Sequence, residues 1–195
     1  MERKRDEELL AEHLAGQPGA FDSIVSRYLD DLYGFFSRFV GNRTAADDLV
    51  QETFLQVHLA ANSFDPTRSF KPWLYAIAAN KGRDYMRARK RRPVHSLDVG
   101  GPDPEGPTPA DLLPATDTSN DELESNERRR DVQATISRMP EHLQLILVLG
   151  YFQKLPYAEI ADILGIPVGT VKSRLHSAVN HFARLWLETH EPTDE

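Results

Sequence analysis

The most obvious candidates for chemistry in this chain are three carboxylates grouped with one histidine. Asp47, Asp48 and Glu52 lie close together in the sequence, and helical spacing brings His58 to the same side. Such a group could hold a divalent metal for nuclease chemistry, with the histidine assisting. Two leucines share that stretch, however, and no second cluster of acids and histidines completes a site. We therefore expect no enzymatic activity, no metal, no cofactor and no small-molecule substrate.

The same stretch is better explained as a surface that binds another protein. Residues 44–61, TAADDLVQETFLQVHLAA, predict a helix whose inner face is apolar. Its outer face carries Asp47, Asp48, Gln51, Glu52, Leu55 and Leu59. Leucines ringed by acids favour docking of a basic partner, because a solvated face gains nothing from them. Two incidentally exposed leucines, or leucines covered by another helix of the same domain, are the alternatives.

A second group of side chains suits nucleic acid. Residues 169–178, GTVKSRLHSA, predict a helix with apolar residues on one side. The other side carries Thr170, Lys172, Ser173, Arg174, His176 and Ser177. Short hydroxyls beside Lys and Arg can reach phosphates and base edges without a bulky side chain in the way. With Gly165 at a tight turn before it, the segment has the pattern of a DNA-reading helix-turn-helix, although an ordinary helical hairpin would share that pattern.

A third group emerges from the charge distribution, which the formal net charge of −7 conceals. Residues 68–92 hold nine Lys or Arg and one acid, whereas residues 93–126 hold eight acids and no Lys or Arg. The basic segment predicts a helix with a polar stripe of Asn80, Arg83, Arg87 and Lys90. Because Asn and Arg bond base edges or phosphates, this stripe is a second candidate surface for nucleic acid.

These groups need helices to position them, and the sequence predicts an all-α fold. We expect two small helical domains, at 1–92 and 121–195, the second containing the helix-turn-helix. A flexible, acidic, Pro-rich linker at 93–120 should join them. The chain has no cysteine, no apolar run near the roughly 20 residues that cross a bilayer, and a charged N-terminus unlike a secretory signal. These features predict a cytoplasmic protein with no direct membrane insertion.

Two local features can also be predicted. Gly41 should end one helix, and Thr44 should cap the N-terminus of the next. Lys81 and Asp84 should form an ion pair within one helix, because residues three apart are neighbours on a helix surface.

In their order along the chain, the three groups resemble those of bacterial RNA polymerase sigma factors, specifically the extracytoplasmic-function (ECF) subgroup. The carrying segments are GQPGAFDSIVSRY, AADDLVQETFLQVH, FKPWLYAIAANKGRDYMRARKRR and LPYAEIADILGIPVGTVKSRLHSA. The resemblance implies a protein that binds core RNA polymerase and directs it to specific promoter DNA. It also implies control by another protein, an anti-sigma factor.

The resemblance further implies a role for each group. The outer face of the helix at 44–61 would dock on the clamp helices of the largest polymerase subunit. The stripe at 80–90 would face the promoter −10 element, and the helix at 169–178 would read the −35 element. A flipped base of the −10 element would be captured by the loop that contains Phe64, Asp65, Arg68 and Ser69.

The competing interpretation is a stand-alone helix-turn-helix regulator that acts without polymerase docking. In such a protein the first domain would dimerise and the second would bind an operator. The acidic helix followed by an arginine-rich one favours the sigma factor, because a stand-alone regulator has no need of a second DNA surface.

Overall fold

A computed structural model describes residues 4–91 and 120–190 of the chain. The described residues form helices and no strand, which confirms the all-α prediction. The first range holds α1 (Asp6–Leu14), α2 (Ala20–Val40), α3 (Arg43–Ala60) and α4 (Phe70–Arg91). The second holds α5 (Asn120–Ser137), α6 (Glu141–Leu147), α7 (Tyr157–Leu164) and α8 (Val168–His190). The predicted linker lies, up to residue 119, outside the described residues.

The helix α2 forms the centre of the first domain because its apolar residues recur at helical spacing. Those that are buried are Ala20, Ile24, Tyr28, Leu32, Phe35, Phe36, Phe39 and Val40. They pack against α1, α3 and α4. At its C-terminus Gly41 adopts the left-handed conformation with φ of 69°, which confirms the predicted helix end.

The predicted cap of α3 was wrong by two residues. The helix begins at Arg43, so the capping position falls on Asn42, whose backbone is extended. The Asn42 side-chain oxygen accepts a hydrogen bond from the Ala45 N–H at 2.7 Å. Thr44 lies inside the first turn, where its side chain is exposed. Asparagine is as good a capping residue as threonine, so composition alone did not distinguish the two positions.

The helix α1 was not predicted, although it is an integral part of the first domain. Leu9 and Leu10 are buried against the rest of that domain. The Glu7 carboxylate accepts a hydrogen bond from the Phe70 N–H at 2.8 Å and so caps the N-terminus of α4. The Asp6 carboxylate accepts a hydrogen bond from the Tyr28 hydroxyl, and burial raises the pKa of that phenol. The segment is short and charged, and its two adjacent leucines do not repeat at helical spacing, so its sequence did not predict a helix.

The second domain has an irregular turn at its centre. Helix α6 continues directly into a π-helical turn at Val148–Phe152. Two residues later, Lys154 adopts a left-handed backbone with φ of 52°, which is uncommon for a residue with a side chain. The two domains are in contact, since α4 packs on α7 and α2 packs on both α5 and the π turn. No helix in the described ranges is long and apolar enough to span a membrane.

Candidate functional site

The outer face of α3 is open to solvent along its length. Asp47, Asp48, Gln51 and Glu52 are exposed, and the leucines among them are 58% exposed at Leu55 and 66% exposed at Leu59. We call these six residues the docking face. No element within the described ranges covers either leucine, which excludes burial by a neighbouring helix of the same domain. Four members of the face line a shallow open depression of about 480 Å³.

The inner face of α3 explains why the docking face is held in place. Leu49, Val50, Phe54 and Val57 are buried against the first domain. Buried Thr53 donates its hydroxyl to the Leu49 carbonyl at 2.7 Å, so it adds no unsatisfied polar group to the core. The inner face therefore fixes the docking face to the core of the first domain.

One cation from α4 reaches the docking face. The Lys81 ammonium lies 3.2 Å from a Glu52 carboxylate oxygen. The predicted pair between Lys81 and Asp84 was therefore wrong. Asp84 instead pairs with Arg87 at 3.1 Å, one turn further along α4. Lys81 lies near the apolar edge of α4, so its side chain points toward the neighbouring helix rather than along its own.

The histidine that could have assisted a metal site faces away from the carboxylates. His58 Nδ1 lies 3.0 Å from His13 Nε2 on α1, and both rings pack against Phe21. Partial burial lowers the pKa of His13, with a smaller contribution from the neighbouring charge of His58. Among the described residues, no group of three or more acids, histidines or cysteines could hold a metal ion.

The loop at 64–69 is held by ring contacts at its start and by a hydrogen-bonded turn in its middle. The Phe64 ring lies 5.1 Å from the Trp73 ring and 6.0 Å from the Phe70 ring, so the loop starts on the first domain's core. The Asp65 carboxylate accepts hydrogen bonds from the Thr67 hydroxyl and the Thr67 N–H, and these bonds lower its pKa. Arg68 and Ser69 lie exposed at the far side of this turn.

Contacts within the protein orient the side chains of the polar stripe of α4. The Arg83 guanidinium donates to the Asn80 side-chain oxygen at 2.7 Å. Arg87 is held by Asp84, as described above, and the Lys90 ammonium lies 3.5 Å from Glu141 of the second domain. We call Asn80, Arg83, Arg87 and Lys90 the α4 stripe.

The helices α7 and α8 form the predicted helix-turn-helix. Gly165 takes the left-handed conformation with φ of 63°, and α8 begins just after Pro167. Ile160 and Ala161 of α7 are buried, as is Val171 of α8. Val168 and Val179 of α8, although apolar, are exposed. The buried stripe of this helix is narrow.

The opposite side of α8 is polar, as expected. The Ser173 hydroxyl donates to the Thr170 carbonyl at 3.1 Å, and His176 contacts the Asn180 amide at 2.9 Å. We call the predicted set the recognition face: Thr170, Lys172, Ser173, Arg174, His176 and Ser177. All of these residues are exposed except Thr170, which is half-buried.

The structure brings the two basic surfaces together, which the sequence did not reveal. Arg83 and Arg87 of the α4 stripe and Arg174 of the recognition face line one cleft of about 220 Å³. Glu141, His142, Leu145 and Leu164 of the second domain complete its lining. The docking face is not part of this cleft.

Family models match both parts of the chain. Sigma-70 region 2 matches residues 24–92, and Sigma-70 region 4 matches residues 129–182. The chain is 38% identical to the ECF RNA polymerase sigma factor SigW of Bacillus subtilis, over 83% of this chain and 86% of that protein. It is 36% identical to the ECF RNA polymerase sigma-E factor of Haemophilus influenzae, over 91% of this chain and 93% of that protein.

Solved structures agree with this relationship. CnrH, in complex with the cytosolic domain of CnrY, superposes with a TM-score of 0.69 and 27% identity, over 95% of this chain and 99% of that one. RpoE of Bartonella quintana, in complex with the anti-sigma factor NepR, shares the fold at a TM-score of 0.63 and 21% identity, over 89% and 99% of the two chains. Together with the two matched regions, these findings show that the chain belongs to the ECF group of RNA polymerase sigma factors, which direct the polymerase to its promoters.

Proposed function

We propose that the docking face of α3 binds core RNA polymerase, while the second and third surfaces contact promoter DNA. The α4 stripe and the 64–69 loop engage the −10 element, and the recognition face of α8 reads the −35 element. The chain acts in the cytoplasm and performs no catalytic step itself, because the polymerase supplies the chemistry. The observation that carries the proposal is the exposure of Leu55 and Leu59 among carboxylates on a helix whose other face is buried in the core.

The docking face has the composition of a protein-binding surface. Fully burying a leucine contributes about 1.5–3 kcal/mol, so the two exposed side chains provide a large part of a stable contact. The surrounding carboxylates select a basic partner, because desolvating them without a cation is costly. Glu52 already has Lys81 beside it, which leaves Asp47 and Asp48 as the acids with no cation beside them in the described structure.

The −10 surfaces are arranged to hold an unstacked base. Extruding a base costs a few kcal/mol of stacking and pairing. The brace of Phe64 on Trp73 and the turn formed by Asp65 and Thr67 fix the 64–69 loop before DNA arrives. A loop and an Arg83 side chain that are ordered in advance lose less entropy on binding, which leaves more of the contact energy to offset base extrusion.

The −35 surface suits the major groove. The recognition face lies on a helix of 23 residues and presents hydroxyls together with two exposed cations, Lys172 and Arg174. Arginine pairs bidentately with guanine, and the hydroxyls accept or donate to either base or phosphate. Simultaneous contacts at the polymerase, the −10 element and the −35 element raise the effective concentration of each further contact.

A regulatory protein partner is part of the same proposal. CnrH is solved bound to the cytosolic domain of another protein, CnrY. We infer that this chain is likewise held by an anti-sigma factor until transcription of its promoters is required.

The test is binding of the labelled chain to bacterial core RNA polymerase. The variant Asp48→Arg/Glu52→Arg reverses the charge of the docking face, and Leu55→Ala/Leu59→Ala removes its apolar area. Both should abolish tight binding and lower the free energy of unfolding by at most about 1 kcal/mol, because all four side chains are exposed and the pair of Glu52 with Lys81 lies at the surface.

A matched control makes the same change in net charge on a different helix. Asp22→Arg/Asp30→Arg alters two exposed acids of α2 and should bind core polymerase as the unmodified chain does. Equal binding by the docking-face variants would overturn the assignment of α3. A folded chain that binds no core polymerase at all would favour the stand-alone regulator.

A further inference from the structure

Helix α1 lies outside the matched sigma-70 regions, since the first of these begins at residue 24. It nevertheless contacts the elements at both ends of the 64–69 loop. It packs on the short 3₁₀ turn at Ala61–Ser63, which immediately precedes the loop, and on α4, which immediately follows it. An element that contacts both flanks of a loop can fix where the loop begins and ends.

The contact at the end of the loop is a hydrogen bond. Phe70 is the first residue of α4, so its N–H is one of the donors that a helix N-terminus leaves without a partner within the helix. The Glu7 carboxylate accepts from this N–H at 2.8 Å, and Glu7 is half-buried. A carboxylate at this position also interacts favourably with the dipole of α4. The bond therefore holds the backbone at the point where the loop ends.

The same helix supports the cluster of rings on which the loop starts. The Asp6 carboxylate accepts a hydrogen bond from the Tyr28 hydroxyl, and the Tyr28 ring lies 5.7 Å from the Phe70 ring. The Phe70 ring in turn lies 6.0 Å from the Phe64 ring and 5.8 Å from the Trp73 ring. Adjacent residues of α1 thus support Phe70 through its backbone and its ring, and Phe70 supports the first residue of the loop.

Helix α1 is itself held in place on the first domain. Leu9 and Leu10 are buried in the core. Arg27 of α2 donates hydrogen bonds to the Asp6 carboxylate and to the Lys4 carbonyl, which ties the N-terminal end of α1 to α2. The acidic residues at that end therefore have a fixed position from which to support α4.

The middle of the loop is held by bonds among its own residues. Asp65 accepts hydrogen bonds from the Thr67 hydroxyl and N–H through its side chain, and from the Arg68 N–H through its carbonyl at 3.0 Å. Bonds to a neighbour two or three residues away fix the shape of a turn but not its place on the protein. The place of this turn therefore depends on the contacts at the two ends of the loop.

A loop that captures a base gains from being placed before DNA arrives. Extruding a base from the stack costs free energy, which contacts in the capturing pocket must offset. A loop that must first become ordered loses part of that contact energy to entropy. Fixed ends reduce this loss, and the fixed ends of the 64–69 loop include the bond from Phe70 to Glu7.

We propose that α1 positions the 64–69 loop for capture of the −10 base, with Glu7 as the positioning residue. This inference rests on the proposed function, because it uses the assignment of the loop to the −10 element. Glu7 contacts no DNA and acts through Phe70. Its removal should therefore weaken the preference for the captured base rather than promoter binding as a whole.

The first test measures the order of the loop in the free chain, by hydrogen exchange followed with NMR. In Glu7→Ala the Phe70 amide should exchange about fivefold faster or more, because its acceptor is gone. The Thr67 and Arg68 amides should exchange faster by a smaller factor, because the end of their loop is less fixed. Glu7→Gln keeps a side-chain oxygen at the same position and should restore most of the protection.

A matched control separates this effect from a general loss of stability. Asn42→Ala removes the cap at the N-terminus of α3 and should destabilise the first domain about as much as Glu7→Ala does. It should leave the exchange of the loop amides unchanged. Tyr28→Phe removes the bond to Asp6 and should accelerate the same amides by a smaller factor, which provides an independent test of the support from α1.

The second test measures base preference in the complex of the chain with core RNA polymerase. The probe is a pool of DNA in which the −10 strand is single-stranded and random in sequence, and sequencing of the bound fraction gives the preference at each position. Glu7→Ala should reduce the preference several-fold at the captured position, because only a captured base uses the ordered loop. Preference at the other positions and affinity for core polymerase should not change. A residue with only a structural role would weaken all positions alike.

Either of two results would overturn the inference. The first is faster exchange at Phe70 in Glu7→Ala that Asn42→Ala reproduces, because general stability would then explain it. The second is faster exchange in Glu7→Ala alone with an unchanged base preference, because the order of the loop would then not serve base capture. Failure of the proposed function looks different, since the complex with the unmodified chain would then show no base preference in the −10 strand.

Discussion

The two helices proposed to contact DNA are held in the molecule in opposite ways. Helix α4 lies between several neighbours, and its buried residues include Leu74, Tyr75, Ala78, Ala79 and Gly82. Helix α8 is of similar length, yet only Val171, Ala178 and Leu185 are buried along it. The difference indicates that α4 is buried deeply in the scaffold, whereas α8 is attached to α5, α6 and α7 through a narrow stripe.

The polar side chains of the two helices also differ in how firmly they are held. Arg83 and Arg87 of α4 are each bonded to a neighbour on their own helix, at 2.7 and 3.1 Å. Lys172 and Arg174 of α8 form no ion pair with any residue that the structure describes. The ordered side chains of α4 suit the recognition of an unstacked DNA strand. Lys172 and Arg174, which have no ion-pair partner in the described structure, can adjust to the edges of paired bases.

The largest expected effect tests how tightly each helix is packed. A Cβ atom at Gly82 would lie 2.7 Å from two atoms of the Phe39 ring, whereas a Cβ at Gly169 would meet nothing within 4 Å. Gly82→Ala should lower the free energy of unfolding by about 2–3 kcal/mol, because the buried ring cannot move freely. Gly169→Ala should raise it by about 0.5–1 kcal/mol through helix propensity. Urea denaturation measures both.

Equal effects at the two glycines would contradict the comparison. A stable Gly82→Ala variant would mean that α4 can move away from α2 at little cost. In that case the orientation of the α4 stripe would not be fixed by the core.

The next effect concerns sequence discrimination. Arg174→Ala should weaken binding of the polymerase complex to its own −35 element by about 2 kcal/mol, about thirtyfold, while a scrambled element is affected less. Arg83→Ala should instead weaken all sequences alike and reduce the salt dependence by about one counterion. Competition binding at several salt concentrations distinguishes the two patterns.

The control for this prediction is Arg184→Ala. Arg184 is exposed on α8 but lies beyond the recognition face, where it pairs with Glu188. Its removal should leave discrimination unchanged. If Arg174→Ala instead reduces binding to all sequences equally, Arg174 contacts phosphate and does not read a base.

The sequence predicted the surfaces better than the contacts that position them. Gly41 and Gly165 were identified because a left-handed helix end selects glycine, and the exposed leucines of α3 were identified because they break a polar pattern. The cap at Asn42, the pair between Lys81 and Glu52, and the hydrogen bond from Tyr75 to Gln153 were not predicted. Each depends on which of several equivalent polar groups happens to be near in space, and one-dimensional spacing holds no such information.

A smaller effect tests the hydrogen bond between Glu7 of α1 and the N-terminus of α4. Glu7→Ala removes the acceptor for the Phe70 N–H and should lower the free energy of unfolding by about 1 kcal/mol. Glu7→Gln keeps a side-chain oxygen at the same position and should cost half of that or less. Similar losses in the two variants, measured by thermal denaturation, would show that the charge and not the hydrogen bond matters.

The smallest expected effect is on pH dependence in the first domain. The pKa of His13 is lowered in the folded state, so the unfolded chain binds more protons as the pH falls through the unfolded pKa of about 6.5. The stability from this site is present above that pH and is lost on acidification. His13→Phe retains the contact with Phe21 and should flatten the change in urea midpoint between about pH 8 and about pH 6. An unchanged slope would assign the pH dependence to another group.

The contact between Glu7 and Phe70 also has a consequence for synthesis on the ribosome. Helix α1 precedes the other helices in the chain, but the backbone group that it caps is made 63 residues later. During translation α1, which carries Leu9 and Leu10, can pack against α2 once that helix emerges, but its contact with α4 must wait until α4 has left the exit tunnel. The acidic and basic residues around these leucines keep the waiting segment soluble. All described helices of the first domain lie within residues 4–91, so it can complete its core before the second domain emerges.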